Sequence, residues 1–117
     1  MSEQLEFKRI PNSGSSVILQ LKGRLETVAA HELRDAAHEI LSNGDHNLVL
    51  NLAEVEFVSS TGLGTFLLLT EEFNEAGGRV ILAEPSRAVL EVVSLLNLDQ
   101  FLNVEDSVEE ALALIDA

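Results

Sequence analysis

The sequence predicts an α/β fold: a mixed, mainly parallel sheet with an N-terminal antiparallel hairpin, flanked by about four helices. Three observations lead to this fold class. Short aliphatic runs alternate with stretches of helical periodicity in the order β-β-α-β-α-β-α-β-α. Successive strand-helix-strand units favour parallel pairing through right-handed crossovers. The composition, 46% hydrophobic but only 4% aromatic, requires an aliphatic core, and 117 residues suit a single domain over residues 1–117.

The N-terminal residues predict a β-hairpin. Residues 5–10 alternate between apolar and polar side chains, which is the period of a half-buried strand. Residues 11–14 are a cluster of turn formers, and residues 17–22 form a second aliphatic run, so the two strands are expected to pair through this turn. Residues 23–26 (Gly-Arg-Leu-Glu) are expected to break the second strand.

The first helix is predicted over residues 28–42. Its apolar side chains recur at helical spacing and its charged residues fall elsewhere, so one face is expected to be buried. Thr27 is a candidate N-cap. Asn43-Gly44 is a good stop, because glycine can take the left-handed conformation after the last turn. The apolar positions are Leu33, Ala37, Ile40 and Leu41.

The middle of the chain predicts a central strand followed by a buried helix. Residues 47–52 show little polar alternation, as expected of a strand covered on both faces. Residues 53–57 are expected to form a short irregular link. Residues 63–73 are rich in leucine and predict a helix that ends before Gly77-Gly78.

The C-terminal third predicts strand, helix, strand and helix. Residues 79–83 form a buried strand, and Ser86 is expected to cap the short helix that follows. Residues 101–104 are expected to be the last strand, and Asp106 or Ser107 starts the final helix. The buried stripe of the short helix is expected at Val89, Leu90, Val93 and Leu96, and that of the final helix at Val108, Ala111, Leu112 and Ile115.

The charge balance limits the classes of partner. Twenty acidic residues against seven basic ones give a net charge of −13, which argues against nucleic acid and against anionic membrane surfaces. Two interpretations stay open: a solvated acidic surface, or an acidic face that steers the chain toward a basic protein partner. The chain has no cysteine, no apolar run of the ~20 residues that span a bilayer, and no signal-peptide pattern, so a cytoplasmic location is expected.

No group of residues predicts an active site, so we expect neither catalysis, nor a cofactor, nor a metal. His31, His38 and His46 are expected on the surface, without the ligand set of a metal site. Gly62-Leu63-Gly64 lacks the lysine of a phosphate loop and the spacing of a dinucleotide fingerprint. These glycines are expected to let the helix start pack tightly against a strand. The acidic pair Glu71-Glu72 is expected on a solvated face.

Three consecutive hydroxyl residues, Ser59, Ser60 and Thr61, stand between the central strand and the buried helix. A hydroxyl at this point can cap the helix by accepting a hydrogen bond from an unpaired backbone N–H. The same helix end, with free N–H groups and a positive dipole end, also suits a phosphate. From these residues alone, a cap and a phosphate acceptor or binding site both remain open.

The run Ser59-Ser60-Thr61-Gly62-Leu63-Gly64 resembles the Asp-Ser-Ser/Thr-Gly-Leu-Gly signature of STAS domains, the anti-sigma factor antagonists of bacteria. The resemblance covers nearly the whole chain. Gly23-Arg24-Leu25-Glu26 is similar to the family's Gly-x-Leu-Asp, and Gly77-Gly78-Arg79 precedes a strand as in the family. Residues 94–101 resemble the family's Leu-x-x-x-Gly-Leu-x-x-x-Phe segment, with Asn97 in place of glycine.

The resemblance implies a protein-interaction switch. The unphosphorylated antagonist binds an anti-sigma factor that is a serine kinase of the histidine-kinase-like ATPase fold, phosphorylation breaks the complex, and a phosphatase resets it. The matching phosphorylation site is Ser60, with Ser59 and Thr61 as alternatives. Ser59 replaces the family's aspartate. The implied partner-binding residues are Glu26, Ser59, Ser60, Thr61, Gly62 and Leu63.

Two other functions stay open for this sequence. One is a STAS module that binds without phosphorylation, as in a lipid-transport ATPase complex or a signalling scaffold. The other is an enzyme or nucleotide-binding protein that uses the loop over residues 59–64. Fold alone does not decide among these functions.

Overall fold

The computed structural model describes residues 5–11 and 16–116. Five strands alternate with four α-helices and one short 3₁₀ turn, and no helix in these ranges is long and apolar enough to cross a membrane. The strands are β1 (Glu6–Ile10), β2 (Val17–Leu25), β3 (Asn47–Val58), β4 (Arg79–Ala83) and β5 (Val104–Glu105). The helices are α1 (Thr27–Ser42), α2 (Ser60–Glu75), α3 (Arg87–Leu95) and α4 (Val108–Asp116), and the 3₁₀ turn is Leu98–Gln100.

The five strands form one sheet in the order β1-β2-β3-β4-β5. β1 and β2 pair antiparallel, and the other neighbours pair parallel. β3 is therefore the central strand, with Leu50 aligned between Leu19 and Leu82. The predicted fold class is confirmed, including the N-terminal hairpin and the four flanking helices.

The helices cover the two faces of the sheet unequally. α1, α2 and α3 pack on one face, where Leu48, Leu50 and Phe66 belong to the larger core cluster. α4 alone packs on the other face, where Ala111 contacts the cluster that contains Val49. Alternate residues of β3 point to opposite faces, one into each cluster, and this explains why its apolar run is continuous. Burial of each large aliphatic side chain contributes about 1.5–3 kcal/mol to folding.

Two strands are longer than the sequence pattern predicts. β2 runs through Gly23 (φ 117°) to Leu25, and register shifts before Lys22 and Arg24 show that bulges absorb the irregular residues. The predicted break at residues 23–26 is therefore wrong. β3 likewise continues to Val58, so the irregular link predicted at residues 53–57 is wrong, because these residues pair with the extended end of β2.

The region after α3 also differs from the prediction. The last strand is Val104–Glu105, not residues 101–104, because the chain turns after Asn97, which has a left-handed φ of 55°. Leu90 and Leu96 are exposed, so α3 buries only Val89 and Val93 of the predicted stripe. The stripe predicted on α4 is confirmed by its packing against the sheet.

The helix boundaries confirm most of the predicted stops and caps. Gly44 takes a left-handed φ of 95° after α1, and Ser86 caps α3 by accepting from the Val89 N–H. Ser107 precedes α4 and accepts from the Glu110 N–H at 3.0 Å. The cap predicted at Thr27 is wrong, because Thr27 is the first residue of α1 and follows the N-cap Glu26. Of the turn predicted at residues 11–14, residues 12–14 lie outside the described ranges.

Candidate functional site

The candidate site lies where β2 and β3 end and α1 and α2 begin. The two strands are parallel, and Leu25 pairs with Val58 at their carboxyl ends. Both connections into the following helices are therefore neighbours on one edge of the sheet. In open α/β sheets this edge is where ligands commonly bind.

Ser59 is the N-cap of α2. Its Oγ accepts a hydrogen bond from the Gly62 N–H at 3.1 Å, and its backbone N–H donates to the Leu25 carbonyl at 2.9 Å. Its own carbonyl accepts the first helical bond from the Leu63 N–H. The Ser59 hydroxyl is thus engaged in the fold at the point where the helix begins.

Thr61 is tied to the neighbouring helix start. Its Oγ1 lies 3.5 Å from the Oγ1 of Thr27, and its carbonyl accepts a hydrogen bond from the Thr65 hydroxyl at 3.0 Å. Thr61 is half-buried. Ser59 and Thr61, the outer members of the hydroxyl run, therefore both contact the rest of the fold.

Ser60 is the first residue of α2 and is exposed. Glu26 follows Leu25, whose carbonyl accepts from the Ser59 N–H, and Ser60 precedes Thr61, which contacts Thr27. Glu26 and Ser60 therefore belong to two neighbouring helix starts. A group added to the Ser60 oxygen would lie at the positive end of the α2 dipole.

The Glu26 carboxylate has a basic partner inside this region. The Arg24 Nε donates to a Glu26 carboxylate oxygen at 2.7 Å, and the Arg24 guanidinium lies 4.5 Å from the centroid of the Phe57 ring. Phe57 is partly exposed, and it pairs with Arg24 across β2 and β3. Neither Arg24 nor Phe57 was predicted as a site residue, because their pairing depends on the extended ends of β2 and β3.

The two glycines after the hydroxyl run differ. A Cβ on Gly62 would lie 2.9 Å from both the Cγ and the carbonyl oxygen of Leu25, so the predicted tight packing is confirmed there. A Cβ on Gly64 would have no atom within 4 Å, so the packing prediction is wrong for Gly64. Gly62 and Leu63 are buried, so both lie on the inner side of the helix start.

The three histidines differ in exposure and in their contacts. His31 and His46 are exposed, as predicted, while the half-buried His38 Nε2 lies 2.7 Å from a Glu72 carboxylate oxygen and links α1 to α2. Glu72 is therefore not on a solvated face, unlike Glu71. In the part of the chain that the structure describes, no three His, Cys, Asp or Glu side chains are grouped so as to hold a metal ion.

Comparison with known proteins assigns this geometry to a family. The model of the STAS domain matches residues 5–111. A Thermotoga maritima protein, provisionally named an anti-sigma factor antagonist, is 31% identical over 97 residues, which cover 82% of this chain and 86% of the relative.

Solved structures show the same fold. A crystal structure of a provisionally named anti-sigma factor antagonist of Thermotoga maritima has a TM-score of 0.84 at 27% identity and covers 97% of this chain and 95% of its own. The anti-sigma factor antagonist SpoIIAA of Bacillus has TM-scores of 0.78 unphosphorylated and 0.71 phosphorylated, at 24% and 23% identity. These two structures cover 95% and 94% of this chain, and 96% and 99% of their own, and the likeness is one of fold.

Proposed function

The chain belongs to the STAS domain family, and on that premise we propose that it is an anti-sigma factor antagonist, a binding protein and not an enzyme. In the unphosphorylated form it binds an anti-sigma factor serine kinase of the histidine-kinase-like ATPase fold. Phosphorylation of Ser60 releases the kinase, and a phosphatase restores the binding form. The functional unit is one STAS domain over residues 1–117, acting in the cytoplasm without nucleic acid or membrane.

The observation that carries the proposal is that the three hydroxyl groups have different structural roles. Ser59 caps α2 and Thr61 contacts Thr27, whereas Ser60 is exposed and makes no hydrogen bond through its hydroxyl within the described ranges. A kinase can therefore reach the Ser60 oxygen without breaking a contact of the fold. The relatives support the choice of function, since one carries the name of such an antagonist and SpoIIAA has been solved with and without phosphorylation.

A phosphoryl group on Ser60 would act differently within the chain and at an interface. It adds about −1.5 to −2 charge at neutral pH, and at the start of α2 this charge meets the positive end of the helix dipole. The fold therefore tolerates it. On a surface packed against a partner, the same charge is desolvated, so it opposes association. A loss of a few kcal/mol at the interface suffices, since ~1.4 kcal/mol is tenfold in affinity.

The replacement of the family's aspartate by Ser59 is compatible with the switch. Serine and aspartate are equally favoured as helix N-caps. Ser59 already accepts the Gly62 N–H, as an aspartate there could, so the backbone that presents Ser60 is retained. What the replacement removes is a negative charge beside the acceptor.

Affinity purification from the native cells tests the proposal. The parent and Ser60→Ala chains are expected to copurify with one kinase of the ATPase fold, identified by mass spectrometry, and Ser60→Asp is expected to lose it. Copurification of the same partner with all three chains would instead favour the module that binds without phosphorylation. Nucleotide titration of the purified chain tests the remaining function, because saturable binding at the loop over residues 59–64 would contradict the proposal.

A further inference from the structure

An open groove of about 650 Å³ lies between the C-terminal half of α2 and the segment around the 3₁₀ turn. Its apolar lining comes from Leu67, Leu98 and Phe101, and Glu71 and Glu75 add carboxylates. These two glutamates are exposed. The groove therefore combines apolar walls with negative charge at its solvent side. It lies toward the C-terminal end of α2, whereas Ser60 is the first residue of that helix.

Large apolar side chains are exposed around this segment. Phe101 is 64% exposed, and Leu95 and Leu96, at the end of α3, are 79% and 54% exposed. The turn at Asn97 carries the chain from these leucines to the groove wall. Exposed apolar side chains do not stabilise the isolated domain, so a cluster of them marks a binding surface.

The charged residues that line the groove have one sign. Neither residues 35–78 nor residues 88–117 contain a lysine or arginine, and both walls of the groove come from these segments. The last turn of α2 contains no basic residue, so its negative dipole end adds to the charge of Glu71 and Glu75. An occupant with positive charge beside apolar side chains would complement both properties.

The groove continues an exposed stripe of α2 that starts at Ser60. Ser60, Gly64, Leu68, Glu71 and Glu75 are all exposed and fall on one helix face. Gly64 lies inside a helix, where glycine costs about 0.5–1 kcal/mol relative to alanine, and no neighbouring atom explains its lack of a side chain. A flat point on an exposed helix allows another chain to approach the backbone closely.

We propose that this groove binds an amphipathic helical segment of a partner protein, with apolar side chains in the groove and lysine or arginine against Glu71 and Glu75. The inference goes beyond the phosphorylation switch and does not depend on it. A second copy of this chain is a poor occupant, because each copy carries a net charge of −13. An anionic membrane surface is disfavoured for the same reason.

A synthetic leucine-lysine amphipathic peptide, about five helical turns long, is the probe. Its affinity for the full chain is measured by fluorescence anisotropy, and the contact is mapped by backbone amide chemical shifts. Glu71→Lys with Glu75→Lys is expected to weaken binding tenfold or more. Glu109→Lys with Glu110→Lys is the matched control on α4. Each pair changes the net charge from −13 to −9, two units per substitution. Because the control pair lies outside the groove, it is expected to change the affinity less than threefold.

Apolar contacts are tested in the same way. Phe101→Ala is expected to weaken the peptide tenfold or more, and Leu114→Ala, on an exposed site of α4, to have little effect. Ser60→Asp is expected to change the affinity less than Glu71→Lys with Glu75→Lys does, since Ser60 is about 16 Å from Glu71 along the helix. The groove and the switch are thereby tested separately.

Three results would overturn the inference. One is equal weakening by the two charge pairs, which would show general attraction to an acidic protein. Another is a set of shifted amides that excludes the second half of α2 and residues 98–101. The third is concentration-dependent dimerisation that Phe101→Ala abolishes, which would make a second copy the occupant.

Discussion

The Ser59 hydroxyl accepts a hydrogen bond from the Gly62 N–H at 3.1 Å, and this contact makes Ser59, not Ser60, the cap of α2. The sequence left open which hydroxyl caps α2, and the structure gives this role to Ser59. Its neighbour Ser60 is exposed and free for a different role. The account of the switch depends on this separation.

Ser59→Ala is expected to destabilise the fold by about 1 kcal/mol, within the range of about 0.5–2 kcal/mol found for lost caps. Ser59→Asp is expected to keep the parent's stability, because a carboxylate also accepts the N–H. Ser60→Ala is expected to change stability by less than about 0.5 kcal/mol, as at other exposed sites. Urea denaturation of the three variants measures these differences, and a loss in Ser60→Ala equal to that in Ser59→Ala would contradict the assignment of the cap.

Ser60→Asp is expected to fold as the parent does and to bind the copurified kinase at least tenfold more weakly, because it places a negative charge on the contact surface. Isothermal titration calorimetry with the purified partner gives the affinity. Ser107→Asp is the control: Ser107 precedes α4 and accepts from the Glu110 N–H, so the substitution adds the same charge at the start of a different helix. Equal affinity for Ser60→Asp and the parent would refute the proposed switch.

Gly62→Ala and Gly64→Ala are expected to change stability in opposite directions. The new Cβ of Gly62→Ala meets Leu25 at 2.9 Å, and such overpacking costs about 1–3 kcal/mol. Gly64→Ala adds a methyl group to open space within a helix and is expected to gain about 0.5–1 kcal/mol. Thermal and urea unfolding of the pair check both signs, and a destabilised Gly64→Ala would show a contact at Gly64 within the fold.

Asn97→Gly is expected to leave the stability unchanged or raise it by up to about 1 kcal/mol, because glycine adopts the left-handed φ of 55° without steric cost. Asn97→Ala is expected to lose about 1 kcal/mol, since an L side chain without a local polar contact is disfavoured there. Urea midpoints of the two variants measure the difference. Identical midpoints would mean that the turn relaxes and that Asn97 is not conformationally selected.

Most of the fold could be predicted because its strands and helices have clear local periods. The buried run in β3 and the stripe on α4 are examples, since each repeats at the spacing of its own secondary structure. The ends of β2 and β3 could not be predicted, because Gly23 and the charged residues of the region look like a loop when read alone. They are strands because they pair with each other across bulges, and sequence periodicity carries no information about such pairing.

The sequence could locate the candidate site along the chain, but not the arrangement of its side chains. The hydroxyl run was visible, and its resemblance to a family motif selected Ser60. Which hydroxyl caps the helix depends on tertiary contacts, namely those of Ser59 with Leu25 and of Thr61 with Thr27. The pairing of Arg24 with Phe57 depends on the extended strands and was missed for the same reason. The exposed position of Phe101, predicted within a strand, depends on the turn at Asn97.

The measurement that tests the central claim most directly is intact-mass analysis and peptide mapping of the protein purified from its own cells under several growth conditions. The account predicts one phosphoryl group, located on Ser60, whose occupancy changes with the conditions. A chain that stays unmodified in every condition, or one modified on Ser59 or Thr61 instead, would contradict it. The unmodified result would leave Ser60 as an exposed residue of a module that binds its partner constitutively.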